Sequence, residues 1–212
     1  MAKGNVSRPP RTTPVVRISF PQVFTPKTFM AGQVARYSVT LMFKKSDKEH
    51  MTFLNQLHKD AAECLAEKWP DEKTRPRIPM VGADKSPIKD GDTAVDNQGV
   101  PIREKYPEQE GHYIVRASTT SKPLVVDRNR VDIQDTNEIF GGCYVKANIN
   151  AYTFDQPQNK GVTIGLNGIQ KWADGESFGG GRPPVDEMFG VSGADDPANY
   201  EANPFSDGDV AF

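Results

Sequence analysis

The side chains with the clearest chemical potential are cations and aromatic rings on the polar faces of segments whose apolar residues alternate. These side chains are Arg17, Arg36, Arg116, Tyr144, Lys146 and Tyr152. Guanidinium and ammonium groups bind phosphates, and aromatic rings stack on unpaired bases at about 1–3 kcal/mol per base. The combination predicts a groove for a single-stranded nucleic acid, with an ordinary solvated sheet face as the alternative.

Motifs that would indicate catalysis or metal binding are absent from the sequence. It has no Gly-x-Ser-x-Gly, Walker A or dinucleotide-binding motif, and its three histidines lack partners at zinc-ligand spacing. An acidic segment without the ligand spacing of a calcium loop contains Asp84, Asp90, Asp92 and Asp96. We therefore predict a protein that is not an enzyme and that needs no metal or cofactor.

Six segments have the alternating or short apolar pattern of β-strands. In the first, Val16, Ile18 and Phe20 share a face that we expect to point inward, and the prolines that follow should end the strand. In the longest, the odd-numbered residues 143–151 form a small apolar face. Trp172, near the last strand, is expected to seal the barrel, with stacking on a base as the alternative. The six predicted strands cover residues 13–20, 33–43, 112–119, 124–126, 142–154 and 161–169.

One long amphipathic helix is predicted over residues 47–68. Ser46 and Glu49 have the spacing of a capping box at its start, and Pro70 follows its end. Residues 73–111, rich in proline, glycine and charge, are predicted to form a long excursion with at most short strands. The apolar face of the helix consists of Met51, Leu54, Leu57, Ala61 and Leu65.

The charge distribution divides the chain into a basic body and an acidic tail. Residues 1–182 carry all 26 basic residues and 21 acidic ones, a formal charge of +5. Residues 183–212 carry seven acids and no base, a formal charge of −7. We predict a flexible basic arm over residues 1–13, a folded domain over 14–182 and a disordered acidic tail over 183–212.

Composition excludes an integral membrane protein and a secreted disulfide scaffold. No stretch approaches the roughly 18 apolar residues of a membrane span, and the N-terminus lacks the apolar part of an export signal. The two cysteines, Cys64 and Cys143, are too few for a disulfide scaffold and are expected to be reduced thiols. We therefore expect a cytoplasmic protein without a membrane partner.

The C-terminal part of the sequence carries motifs of a known family. Residues 140–148 have the sequence FGGCYVKAN, followed by NKG at 159–161 and LNGIQK at 166–171. The tail then ends with Asp207, Asp209 and a terminal Phe212. Together with the order of strands and one long helix, these motifs resemble the single-stranded DNA-binding proteins of tailed phages, which have an OB-fold and an acidic tail ending in phenylalanine.

The resemblance implies a mainly β fold, an OB-fold-like β-barrel with one long amphipathic helix. It also implies a non-catalytic protein that binds and protects single-stranded DNA, largely independently of sequence, in phage DNA replication and recombination. Replication or recombination proteins would be recruited through Asp207, Asp209 and Phe212, and a homodimer is compatible with this family. Three other hypotheses stay open: an RNA-binding OB or cold-shock-type module, a metal-dependent nuclease using the carboxylates at 84–96, and a scaffold whose tail binds only protein.

Overall fold

The computed structural model describes residues 4–28, 32, 34–78, 81–82, 86–96, 98–156 and 159–178, and β-strands dominate these residues. The predicted tail, residues 183–212, lies outside them. No helix in the described part of the chain is long and apolar enough to cross a membrane. The strands are β1 (Arg11–Thr12), β2 (Val16–Lys27), β3 (Arg36–Lys44), β4 (Ile88–Asp90), β5 (His112–Thr119), β6 (Leu124–Val126), β7 (Tyr144–Gln156) and β8 (Asn159–Ala173). The helices are α1 (Lys48–Lys68) and α2 (Ile102–Lys105), with 3-10 turns at Pro107–Gln109 and Thr136–Glu138.

Within the described residues, five strands close into a barrel in the order β7, β2, β3, β5 and β8, and β8 pairs back with β7. Every neighbouring pair in this ring is antiparallel except β5 and β8, which run parallel where Ser118 pairs with Gly165. A five-stranded barrel of this kind is the architecture of an OB-fold. The predicted fold, an OB-fold-like barrel with one long helix, is confirmed.

The interior of the barrel follows the alternation seen in the sequence. In β7, Val145, Ala147, Ile149 and Ala151 are at most 1 % exposed and belong to the main buried cluster. The predicted apolar face of α1 packs against this strand, and Leu54, Leu57, Ala61 and Leu65 are buried. The predicted strands over 112–119 and 124–126 have the observed bounds, and the others differ at their ends.

The N-cap residue of helix α1 is Asp47 rather than the predicted capping residue Ser46. The Asp47 side chain accepts hydrogen bonds from the backbone N–H groups of Glu49 and His50. The hydrogen bond from His50 lowers the pKa of the Asp47 carboxyl, and the negative charge also suits the helix N-terminus. Ser46 lies in the tight turn after β3, so the cap moves one residue along the chain.

The N-terminal segment is part of the sheet, which corrects the prediction of a flexible arm over residues 1–13. The backbone N–H of Arg8 donates to the carbonyl of Ala151 at 2.9 Å, and β1 pairs with β7. Arg11 forms an ion pair of 2.5 Å with the buried Asp60 of α1. This segment covers an edge of β7 that would otherwise lack a partner, and acids on α1 neutralise its cations. Residues 1–3 lie outside the described residues.

Strand β2 continues through both prolines, and its pairing with β3 shifts between Ser19 and Gln22. At this irregularity Phe20 adopts a φ of 49° and is 45 % exposed. The prediction that Phe20 points inward with Val16 and Ile18 is therefore wrong. An irregular pairing of this kind turns a side chain to the opposite face of the sheet.

The predicted excursion over 73–111 contains only short elements in its described part, as expected, and Lys45 ties it to the barrel. The Lys45 ammonium lies 2.5 Å from a carboxylate oxygen of Asp90 and 2.6 Å from one of Asp92. Strand β4 also pairs with β5. These contacts attach the excursion to the sheet beside β5, close to the residues described next.

Candidate nucleic-acid interface

The outer face of β2, β3 and β5 forms a concave surface, which we call the front wall. It surrounds a pocket of about 270 Å³ that is lined by Phe20, Gln22, Lys27, Ser38, Thr40, Tyr106 and Arg116. Arg36 also belongs to this surface, since it pairs with Lys27. The strand register places Thr40 beside Arg116 and Lys27 beside Arg36. Side chains from three strands and from the excursion therefore converge on one surface.

Arg36, Arg116 and Lys27 give the front wall its positive charge. Arg36 donates a hydrogen bond of 3.4 Å to the Ser118 hydroxyl, which fixes its direction along the wall. Partial burial lowers the pKa of Arg116, yet a guanidinium stays charged at any physiological pH. Glu108 lies nearby and accepts a hydrogen bond from Ser19. Two of the six predicted binding residues, Arg36 and Arg116, thus lie together on this wall.

Two aromatic rings that sequence analysis missed stand beside these cations. The rings of Phe20 and Tyr106 are 4.8 Å apart at 78°, in an edge-to-face arrangement. They are 45 % and 37 % exposed, respectively. Large exposed rings next to cations are suited to stacking on bases. The sequence gave no signal for either ring. Phe20 is turned outward by an irregular strand pairing, and Tyr106 lies in a segment without periodicity.

Tyr152 extends the same surface across the parallel junction of β5 and β8. Ser118, which binds Arg36, pairs with Gly165, and Gly165 lies against the half-buried Tyr152. A Cβ atom at Gly165 would lie 2.8 Å from the Asn150 side-chain oxygen and 3.2 Å from the Tyr152 ring. The glycine therefore provides the space in which this ring lies.

Arg17, Tyr144 and Lys146 lie on a different part of the barrel, so the six predicted residues do not form a single groove. The Arg17 guanidinium is 4.1 Å from the Phe178 ring and 5.5 Å from the Tyr144 ring. It also donates to the carbonyls of Gly142 at 3.1 Å and Glu176 at 2.6 Å. These contacts fasten the segment that follows β8, which gives Arg17 a structural role.

Lys146 lies over Trp172, a residue for which sequence analysis predicted a different position. The Lys146 ammonium is 4.2 Å from the centre of the indole, and the Arg128 guanidinium is 4.5 Å from it. Trp172 is therefore on the outer face of β8 between two cations. The expectation that it seals the barrel is wrong, because its ring lies against Lys146 and Arg128 and does not belong to the buried core cluster.

Three of the four carboxylates considered for a nuclease, Asp90, Asp92 and Asp96, are occupied by other contacts. Hydrogen bonds from Lys45 and from the Gly111 N–H lower the pKa of Asp92, and Asp96 pairs with Lys105. Asp84 lies outside the described residues. Among the residues that the structure describes, no group of three His, Cys, Asp or Glu side chains could hold a metal ion. The structure thus gives Asp90, Asp92 and Asp96 a role in fixing the excursion.

Comparison with known proteins agrees with this architecture. Residues 11–199 match the family model described as the single-stranded DNA-binding protein of Enterobacter phage Enc34. The chain belongs to this family. A protein named "Putative protein p50", from Acyrthosiphon pisum secondary endosymbiont phage 1, is 29 % identical over 187 residues, which are 85 % of this chain and 93 % of that protein. The resemblance inferred from the tail and from the motifs after residue 140 is confirmed.

Solved structures of phage proteins share the fold. The single-stranded DNA-binding protein from bacteriophage Enc34, solved in complex with single-stranded DNA, is 26 % identical with a TM-score of 0.60, over 79 % of this chain and 88 % of that one. The single-stranded DNA-binding protein encoded by bacteriophage T7 is 15 % identical with a TM-score of 0.52, over 85 % of this chain and 98 % of that one. The second likeness concerns the fold alone.

Proposed function

We propose that this protein binds single-stranded DNA along the front wall, largely independently of sequence. The observation that carries the proposal is the convergence of Arg36, Arg116 and Lys27 with two exposed rings on one outer wall of an OB-fold-like barrel. In this fold the face of the second and third barrel strands binds oligonucleotides, and those strands here are β3 and β5. A relative solved in complex with single-stranded DNA supports the proposal.

The chemistry of the wall divides into phosphate contacts and stacking. Arg36 and Arg116 hold backbone phosphates, while Phe20, Tyr106 and Tyr152 stack on bases. Each cation that neutralises a phosphate releases counterions, so affinity falls with salt. Stacking accepts any base because every base has a π-face. The protein therefore coats exposed strands, removes hairpins and protects DNA from nucleases during phage replication and recombination.

The test is a fluorescence-anisotropy titration of labelled oligo-dT across a salt series. The double variant R36A/R116A should lower the magnitude of the salt slope by about 1.4, since each lost phosphate contact contributes about 0.7 for a single strand. The control K59A removes one positive charge from an exposed position of α1 and should leave the slope unchanged. A flat titration of the unmodified protein at low salt would overturn the proposal, and tighter binding of oligo-rU than of oligo-dT would favour RNA.

We extend the proposal to the acidic tail. Its carboxylates compete with phosphates for the same cations, and this competition weakens as salt screens it. When DNA fills the wall, Phe212 becomes available to a replication or recombination protein. Its ring enters an apolar pocket of the partner, while the terminal carboxylate, Asp207 and Asp209 contact a basic rim.

Two deletions test the two roles of the tail. Removing residues 183–212 should raise affinity for oligo-dT at low salt, with a smaller gain at high salt. Removing Phe212 alone should leave DNA affinity unchanged and abolish pull-down of phage replication or recombination proteins. Unchanged affinity after the first deletion would contradict competition, and retained pull-down after the second would contradict docking.

A further inference from the structure

A second pocket, of about 340 Å³, opens on the outer face of β6, β7 and β8, and we call it the side pocket. Its floor is apolar and consists of Leu124, Val126, Gly168 and Ile169. Leu124 is 61 % exposed, although it belongs to a strand. At Gly168 a Cβ atom would lie 2.8 Å from the Leu124 carbonyl oxygen, so the glycine lets β6 close over β8. The result is a partly exposed apolar shelf on which the face of a base could pack.

Two cations, Lys146 and Arg130, line the side pocket, and a third, Arg128, lies over the Trp172 ring. The turn that carries both arginines is fixed because the Asp127 carboxylate accepts N–H donors from Asn129 and Val131 at 2.8 Å each. None of the three cations pairs with a carboxylate among the described residues, and Asp132 is the acid that lines the pocket. An apolar shelf with cations at its rim matches a base and its phosphate.

The side pocket is continuous with the front wall along β8. Gly165, which supports Tyr152, is three residues from Gly168, a distance of about 10 Å along a strand. Between them the Asn167 side chain donates to those of Asn148 and Asn150, at 3.0 and 3.2 Å. A polar path of amides therefore joins the two surfaces.

We propose that the side pocket binds one nucleotide of a DNA single strand that leaves the front wall past Tyr152. The base lies on Leu124 and Val126, and the phosphate is held by Arg130 and Lys146. This inference rests on the proposed function, because it assigns an extension of the same binding path. It predicts that oligonucleotides long enough to reach the pocket gain affinity that shorter ones lack.

Oligo-dT of about 6 and about 14 nucleotides, within the range of site sizes of OB-folds, provides the test. R130G removes a rim cation at a residue with φ of 68°, which glycine adopts without strain, and L124E places a negative charge on the shelf. Each should weaken binding of the long oligonucleotide about five- to tenfold and leave the short one unchanged. K59A, with the same charge change as R130G, serves as the control.

Trp172 supplies an independent signal. The chain has two tryptophans, so the W69F variant keeps Trp172 as its tryptophan fluorophore. The long oligonucleotide should change the emission of Trp172, and the short one should not. Equal affinities of R130G and the unmodified protein for both lengths would overturn the side pocket. Tighter binding of both oligonucleotide lengths by L124E would also overturn the proposal. It would mean that the pocket holds the acidic tail, which the new carboxylate repels, and not a nucleotide. The front wall is tested separately, because R36A/R116A should weaken binding of both oligonucleotide lengths. If the unmodified protein binds neither length, the proposed function itself is refuted.

Discussion

Replacing Phe20 by glycine and, separately, by alanine distinguishes DNA stacking from backbone strain. Phe20 has a φ of 49°, a conformation that costs a residue with a Cβ atom about 1–2 kcal/mol. Glycine removes this cost but loses about 0.5–1 kcal/mol through the entropy of the unfolded chain. Both variants lose the edge-to-face contact with Tyr106, which contributes about 0.5–1.5 kcal/mol. F20G should therefore be more stable than F20A by about 0.5–1 kcal/mol.

The same two variants should bind DNA equally weakly. Because Phe20 is 45 % exposed on the front wall, its loss removes one stacking surface, about 1–3 kcal/mol or roughly 5- to 150-fold in affinity. The salt slope should not change, since no phosphate contact is lost. Urea unfolding followed by circular dichroism gives the stabilities, and oligo-dT anisotropy at several salt concentrations gives the affinities.

Each half of this reasoning has its own refutation. Binding by F20G as tight as that of the unmodified protein would show that the ring does not stack on DNA. An unfolding free energy of F20G that is about 0.5–1 kcal/mol below that of F20A, the entropic cost of glycine alone, would show that the left-handed backbone at this position carries no strain. A changed salt slope in either variant would mean that the substitution disturbs Arg116 or Lys27 as well.

Three further outcomes are expected. Y152A should weaken oligo-dT binding by about 1–3 kcal/mol with an unchanged salt slope in anisotropy titrations, and an altered slope would contradict a stacking role. G165A should weaken binding in the same assay and lower the melting temperature, because its Cβ meets Asn150 and the Tyr152 ring; unchanged values would contradict the close contact. D60N should lower the urea-unfolding free energy at neutral pH by about 1 kcal/mol, a modest value because Arg11 is partly exposed. Burial opposes ionisation of Asp60, but hydrogen bonds from Arg11 and Gln56 hold the pKa of its carboxyl below the ordinary value. The stabilisation by the ion pair is therefore present above the ordinary aspartate pKa, and it is lost as the pH falls through the lowered pKa of the folded state. D60N and the unmodified protein should converge in acid, and a constant difference would refute the assignment.

Alternation in the sequence was sufficient to predict which side chains of the regular strands point outward. Lys146 and Arg116 lie on the outer face as expected, because a shift of one residue would place the small apolar row of β7 in water. This alternation is a local property, which a single sequence displays directly. The OB-fold-like barrel, in contrast, was implied by the resemblance of the motifs after residue 140 to a known family.

What the sequence could not predict depends on contacts between distant segments. The grouping of Arg36 with Tyr152 follows from the parallel pairing of Ser118 with Gly165, for which no local pattern exists. Phe20 is displaced by an irregular pairing with β3, and Tyr106 reaches the wall from an aperiodic excursion. The N-terminal cations appeared to belong to a free arm because their partners, such as Asp60, lie far along the chain.

The pairing of the N-terminal segment with β7 also sets the order of events during synthesis. The backbone N–H of Val6 donates to the Thr153 hydroxyl across 147 residues of sequence. At about 5–20 residues per second, a ribosome needs roughly 7–30 s to produce the second partner after the first. Once residue 44 has been made, β2 and β3 can pair, but Ile18, Val39 and Leu41 still lack the strands that cover them in the finished barrel. We therefore expect the nascent chain to be a chaperone substrate until β8 emerges.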